Sequence, residues 1–154
     1  MKVLKIIGLV AVILFVVVFL VAKLNRITPL NLLDKEGYNS YSGIAIQGYD
    51  PVSYFVEGPK QGNEQYSMKW KNATWLFDSQ ENLNLFQTNP DRYAPQFGGY
   101  CSFAVTTGFT ATIDPTSYTI HEDKLYLFNG EDLKINFMMD MDQSISTATE
   151  QWEK

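Results

Sequence analysis

The sequence predicts an α+β domain: a small antiparallel sheet with three short helices packed on it, preceded by one N-terminal hydrophobic helix. Three observations carry that expectation. Tyr66, Met68 and Trp70 alternate with polar residues, and the runs at 74–77 and 125–128 have the length and composition of partner strands. Leu83 with Phe86, and later Met141, Ile145, Ala148 and Trp152, recur at helical spacing. Residues 6–22 are apolar throughout except for Gly8.

The N-terminal run is near the lower length limit for a spanning helix and slightly long for a signal-peptide core. Lys2 and Lys5 precede it and Lys23 and Arg26 follow it, so flanking charge alone does not orient it. Its exit, Leu20-Val21-Ala22-Lys23, is a poor small-x-small cleavage site. The expectation is an uncleaved signal anchor over 1–26, with the domain exported: the periplasmic face of the inner membrane if the cell is bacterial. A cleaved signal peptide is the alternative. Residues 27–43 read as a linker, mixed and polar, with Pro29, Gly37 and Gly43 and no sustained period. The domain is then 44–154.

Within the domain, 44–46 reads as a short strand. Asp50-Pro51 starts a helical turn over 52–55, with Asp50 as cap and Pro51 at the first helical position. Lys71-Asn72 turns the first hairpin. Asp78 followed three residues on by Glu81 forms a capping-box pattern for a helix over 79–88, and Asn89-Pro90 ends it. Gly98-Gly99 opens a second helix over 99–107, with Gly108 as its C-terminal cap. A second hairpin turns around Glu122-Asp123, and a helix over 140–152 lies on the sheet. Ten Phe, nine Tyr and three Trp in 154 residues are enough to fill a core of this size.

All 17 acidic residues follow Arg26, against eight Lys and Arg. A surface so acidic lacks the basic footprint of a nucleic-acid-binding protein. It keeps a domain soluble without demanding a cationic ligand. The one cysteine, Cys101, excludes an internal disulfide, so it is either buried or used. No phosphate-binding glycine loop, serine nucleophile elbow or second histidine is present.

Several spaced motifs resemble the YHS domain, a small module found around metal and redox chemistry. Gly48-Tyr49-Asp50-Pro51-Val52-Ser53-Tyr54-Phe55 resembles the opening signature of its stand-alone exported branch. Trp75-Leu76-Phe77, Glu81-Asn82, Phe86, Asn89-Pro90 and Tyr93 resemble its strand–helix–turn core, and Gly98-Gly99-Tyr100-Cys101 its cysteine segment. Asp114-Pro115 and 124–127 resemble its closing hairpin. The resemblance implies a membrane-held accessory protein that binds a metal or small ligand. The positions where the module's two metal-type cysteines sit are Asp78 and Asn82 here, and the Tyr-His-Ser triplet is absent.

The candidate site residues follow. Cys101, just after two glycines at an expected helix start, would have a lowered thiol pKa. It can serve as a copper ligand, as a redox thiol, or as a small buried residue. His121, the only histidine, can approach it; Cys plus His suits copper or zinc but does not close a zinc site. Tyr49, Asp50, Tyr54, Tyr93 and Tyr100 can ring a ligand pocket near Cys101, although Asp50 also fits a plain capping role. The first reading is a metal- or small-ligand-binding accessory protein centred on Cys101. A thiol redox protein and a non-catalytic interaction module with a structural cysteine are the alternatives.

Overall fold

The structure, a computed structural model, describes residues 2–33, 35 and 37–154, with no account of the side chains of 2–5 and Tyr41. Helix α1 (Lys2–Leu24) stands outside the domain and its apolar residues from Ile6 onward are exposed. Its segment Ile6–Leu24 is long and apolar enough to cross a membrane, a property that signal sequences share.

Strands β1 (Ser40–Tyr41), β2 (Ile44–Ala45), β3 (Asn63–Trp70) and β4 (Ala73–Phe77) form one sheet in the order β1-β2-β4-β3. The expectation of an antiparallel sheet needs one correction. β2 joins β4 in parallel through Ile44 and Thr74, and the other pairings are antiparallel. The chain reaches that parallel edge because the long passage from 46 to 62 carries it across the sheet end. Helices α2 (Gln80–Thr88) and α3 (Pro90–Tyr93) follow, then α4 (Ser102–Thr106). Strands β5 (Asp114–His121) and β6 (Lys124–Phe128) make a separate two-stranded sheet, and α5 (Glu131–Met138) and α6 (Met141–Glu153) close the domain.

Both hairpins turn on two residues with positive φ: Lys71 and Asn72 at 44° and 60°, Glu122 and Asp123 at 49° and 59°. That is the primed turn whose twist matches antiparallel strands. It fixes the registers Trp70 opposite Ala73 and His121 opposite Lys124. A one-residue slip would invert which side chains face inward.

The core is aromatic. Trp75, Phe77 and Phe86 are fully buried under the first sheet, with Trp75 and Phe86 rings 5.0 Å apart. Tyr126, Phe128 and Phe137 form a second buried group where α5 lies on the β5–β6 hairpin. Three helices were expected, and five are packed into the domain. The unforeseen α5 has Gly130 at its start and only Phe137 fully inside, so its sequence carries no clear apolar stripe. Helix α6 keeps the expected stripe of Met141, Ile145, Ala148 and Trp152, but packs chiefly on α4 rather than on the sheet.

The described residues of 27–43, read as a linker, are integrated into the domain. Leu30 is buried, Asn39 donates to the Gly99 carbonyl at 3.0 Å, and the Tyr38 ring packs on Trp70 and Trp75 at 5.3 and 5.1 Å. Polar composition concealed this because most of the anchoring groups here are polar side chains and backbone.

Candidate functional site

Cys101 precedes α4 and is fully buried. Burial pushes its thiol pKa up, and backbone N–H groups of Ala104, Asn129 and Phe103 offset this only in part. The expected lowering at a helix start is therefore reversed. Helix α4 begins at Ser102 and runs five residues, shorter than the expected 99–107, with a tight turn over Phe97–Gly99 before it. A short helix contributes little dipole, and desolvation outweighs it.

His121 ends β5 and its Nε2 lies 3.6 Å from Asp142 Oδ1 at the start of α6. Among the described residues no three His, Cys, Asp or Glu side chains converge as a metal would require. The donor set for copper or zinc that Cys101 and His121 were expected to begin does not fit such an ion: one member is buried and protonated, and the other faces a carboxylate.

Asp50 is a structural hub. It is fully buried. Its Oδ1 accepts from the backbone N–H of Val52 at 2.8 Å and of Ser53 at 3.3 Å, the capping role read from the sequence. Its Oδ2 accepts from the Asp78 N–H at 2.9 Å and from Asn82 Nδ2 at 2.6 Å. Burial raises the carboxyl above its ordinary range, and these four donors pull it part of the way back. Asn82 also donates to Asp78 Oδ1 at 2.9 Å, and Lys60 Nζ lies 3.5 Å from Asp78 Oδ2. Asp78 is thus not the helix cap that the sequence pattern suggested. The cap is Ser79, whose Oγ accepts from the Asn82 N–H at 3.2 Å. Asp78 and Asn82 are committed to this network.

The five residues expected to ring a pocket are largely spent on the protein itself. Tyr54 donates its hydroxyl to the Pro115 carbonyl at 2.8 Å and packs edge-on against Tyr118. Tyr49 pairs with Gln61 through the backbone, and Tyr93 packs edge-on against Phe55. Tyr100 lies 6.4 Å, ring to ring, from Trp152.

Trp152 leads to the hollow that the sequence reading missed. A cleft of about 740 Å³ opens between the segment before β1, the β3–β4 turn, the β5–β6 turn and the end of α6. Lys35, Lys71 and Lys124 stand around it, with Tyr38, Phe97 and Trp152 among its walls. Lys35 Nζ donates to the Trp152 carbonyl at 2.7 Å, 5.8 Å from the indole centre. Lys71 Nζ sits 4.3 Å over the Trp70 ring and 3.2 Å from Asp91 Oδ1. Asp91 and Glu153 also border the cleft, so it carries both signs. Burial, reinforced by Asp91, keeps the Tyr38 phenol protonated well above its ordinary range.

Gly98 makes this geometry possible. Its φ is +62°, and a Cβ there would lie 3.1 Å from the Trp152 ring. A second hollow of similar volume beside β2, lined by Gly48, Gly62 and Leu76, has a single charged wall residue, Glu64. The first cleft brings together cations, aromatic faces and a hydroxyl. No sequence motif announces it. The one available signal was scarcity, since the cleft draws three of the eight basic residues that follow Arg26. Comparisons with models of known families, with characterised proteins and with solved structures find no match to this chain.

Proposed function

We propose that this chain is a membrane-tethered accessory protein of the YHS-domain type. It faces the periplasm or cell exterior and binds a small ligand without catalysing a reaction. The observation that carries this reading is the cleft, where Lys35 stands beside Trp152, Lys71 beside Tyr38, and Lys124 joins the lining. Ammonium groups at the rim and flat apolar walls suit a small molecule with an acidic group and an aromatic part. Lys124 has no ion-pair partner among the described residues and is exposed, so it is available to an incoming anion.

The buried, protonated thiol of Cys101 supports a structural cysteine, the non-catalytic form of the role, over redox use. Calorimetric titration of the full chain in nanodiscs with benzoate and phenyl phosphate tests the reading. Saturable one-site heat, weakened in Lys124→Ala, is the expected result. Absence of heat in the parent, together with stoichiometric copper(I) or zinc(II) lost on Cys101→Ala, would return the site to the cysteine.

A further inference from the structure

The end of α1 and the domain are joined without slack. The Arg26 N–H donates to the Lys23 carbonyl at 3.2 Å and the Ile27 N–H to the Ala22 carbonyl at 2.9 Å, with Arg26 at φ +54°. These are the paired bonds of a Schellman close, here built on arginine instead of glycine. The chain then runs directly into a ribbon with 108–112. Thr110 N–H donates to the Thr28 carbonyl at 2.8 Å, Leu30 N–H to the Gly108 carbonyl at 3.0 Å, and Thr112 N–H to the Asn25 carbonyl at 3.0 Å. The Thr110 hydroxyl donates to the Arg26 carbonyl at 2.8 Å, and Arg26 Nη1 donates to Asn39 Oδ1 at 2.8 Å.

This ribbon has two faces. Pro29 pairs with Phe109, so by the two-residue period Ile27, Pro29 and Phe109 share a side, and Thr28, Leu30 and Thr110 share the other. Burial follows that division. Leu30 and Thr110 are 4% and 1% exposed, and Ile27 and Phe109 are 42% and 43% exposed. Leu24, the last residue of α1, is 80% exposed. Three large apolar side chains therefore surround the point where the apolar helix ends.

We propose that this outer face, Leu24, Ile27 and Phe109, is a membrane-contact surface that seats the domain in the interfacial layer of the bilayer. The inference rests on the reading of α1 as an uncleaved span. The occupant is a lipid surface because the hydrophobic span ends at Leu24. Asn25 is already bonded to the domain, and one residue of chain covers at most about 3.6 Å. No length remains to lift the ribbon clear of the headgroups. Lys23, exposed, stands at the same level, where anionic headgroups attract cations. The domain thus presents one fixed side to the bilayer.

Nitroxide labels test this on the full chain in vesicles of phosphatidylcholine and phosphatidylglycerol. Phe109→Cys and Ile27→Cys are labelled separately, and Val16→Cys reports on the helix itself. Unlabelled parent verifies that buried Cys101 does not react, and near-UV circular dichroism verifies the fold of each variant. The expected result is an oxygen-to-nickel-chelate accessibility ratio at 109 and 27 several-fold above that of free label in water, below that at 16. Water-like ratios at 109 and 27 with a lipid-like ratio at 16 would overturn the proposal and leave the tether standing. A water-like ratio at 16 would overturn the tether and this inference with it. Strong dipolar broadening between labels at 109, persisting at one chain per several thousand lipids, would assign the face to a second copy and also overturn the proposal.

Discussion

The Asp50 network and the Lys–Trp cleft are both polar, and they differ in how their groups are spent. At Asp50, four N–H donors meet two carboxylate oxygens inside the protein, and Asn82 links the same carboxylate to Asp78. In the cleft, ammonium groups lean on ring faces and a carbonyl, and Lys124 reaches toward solvent. A buried carboxylate survives only if hydrogen-bonded, so its environment closes around it. A lysine on an aromatic wall lays its stem on the ring and keeps its charged head at the solvent edge. The comparison teaches that, in this chain, the residues with the most chemical appearance hold the fold. Among the cleft lysines, Lys124 is exposed and has no ion-pair partner among the described residues, whereas Lys35 and Lys71 hold a carbonyl and a carboxylate.

The sharpest way to break the comparison is Asp50→Ala. It leaves Val52, Ser53, Asp78 and Asn82 donors unpaired next to a cavity, and should cost about 3–5 kcal/mol in urea unfolding. A loss below about 1 kcal/mol would mean that the network carries little of the fold. Gly98→Ala acts on the cleft side. It places a side chain at φ +62° and against Trp152, and should cost about 1–2 kcal/mol while weakening ligand binding. Unchanged stability would show that the Phe97–Gly99 turn relaxes freely.

Alkaline pH probes the closed interior. Cys101 and the Tyr38 and Tyr54 hydroxyls all have pKa values raised by burial above their ordinary 9.0 and 10.0. From about pH 9 upward the unfolded chain releases these protons first and binds fewer than the native state, so stability falls as pH rises. The urea midpoint should drop between about pH 8.5 and 10.5, less steeply in Tyr38→Phe. A flat profile would contradict the burial of these groups. The smallest effect belongs to Lys124→Ala, which should leave stability within about 0.5 kcal/mol and reduce affinity for an aromatic carboxylate several-fold. Loss of stability instead would make Lys124 part of the frame.

The elements with local signals were legible in the sequence. Alternation around Tyr66 and Trp70, the two turn pairs, and the α6 stripe all survive in place. Where tertiary context competed, the reading shifted. Ser79 takes the cap that Asp78 was given because Asp78 is held by Asn82 and offers its own N–H to Asp50. Segment 27–43 resembled a linker because the backbone bonds of Thr28 and Leu30 with 108–110, and of Tyr38 and Asn39 with Lys71 and Gly98, leave no trace in composition. Cys101 and the tyrosines stood out by residue type, yet what decides their chemistry is exposure, which no local pattern specifies. The cleft was illegible for a related reason. Lys35, Lys71, Lys124 and Trp152 come from four separate stretches, and only the completed fold gathers them.

The bond between Lys35 and the Trp152 carbonyl spans 117 residues, and the Arg26 and Thr28 contacts with Thr110 span 84 and 82. Such closures have a high contact order, which slows folding because loop entropy is lost before the contact is made. On a ribosome, the residues just after α1 would wait until most of the chain had been translated. The first part of the domain to emerge is therefore among the last to be secured, and an interrupted synthesis leaves it attached to an open, unfinished sheet.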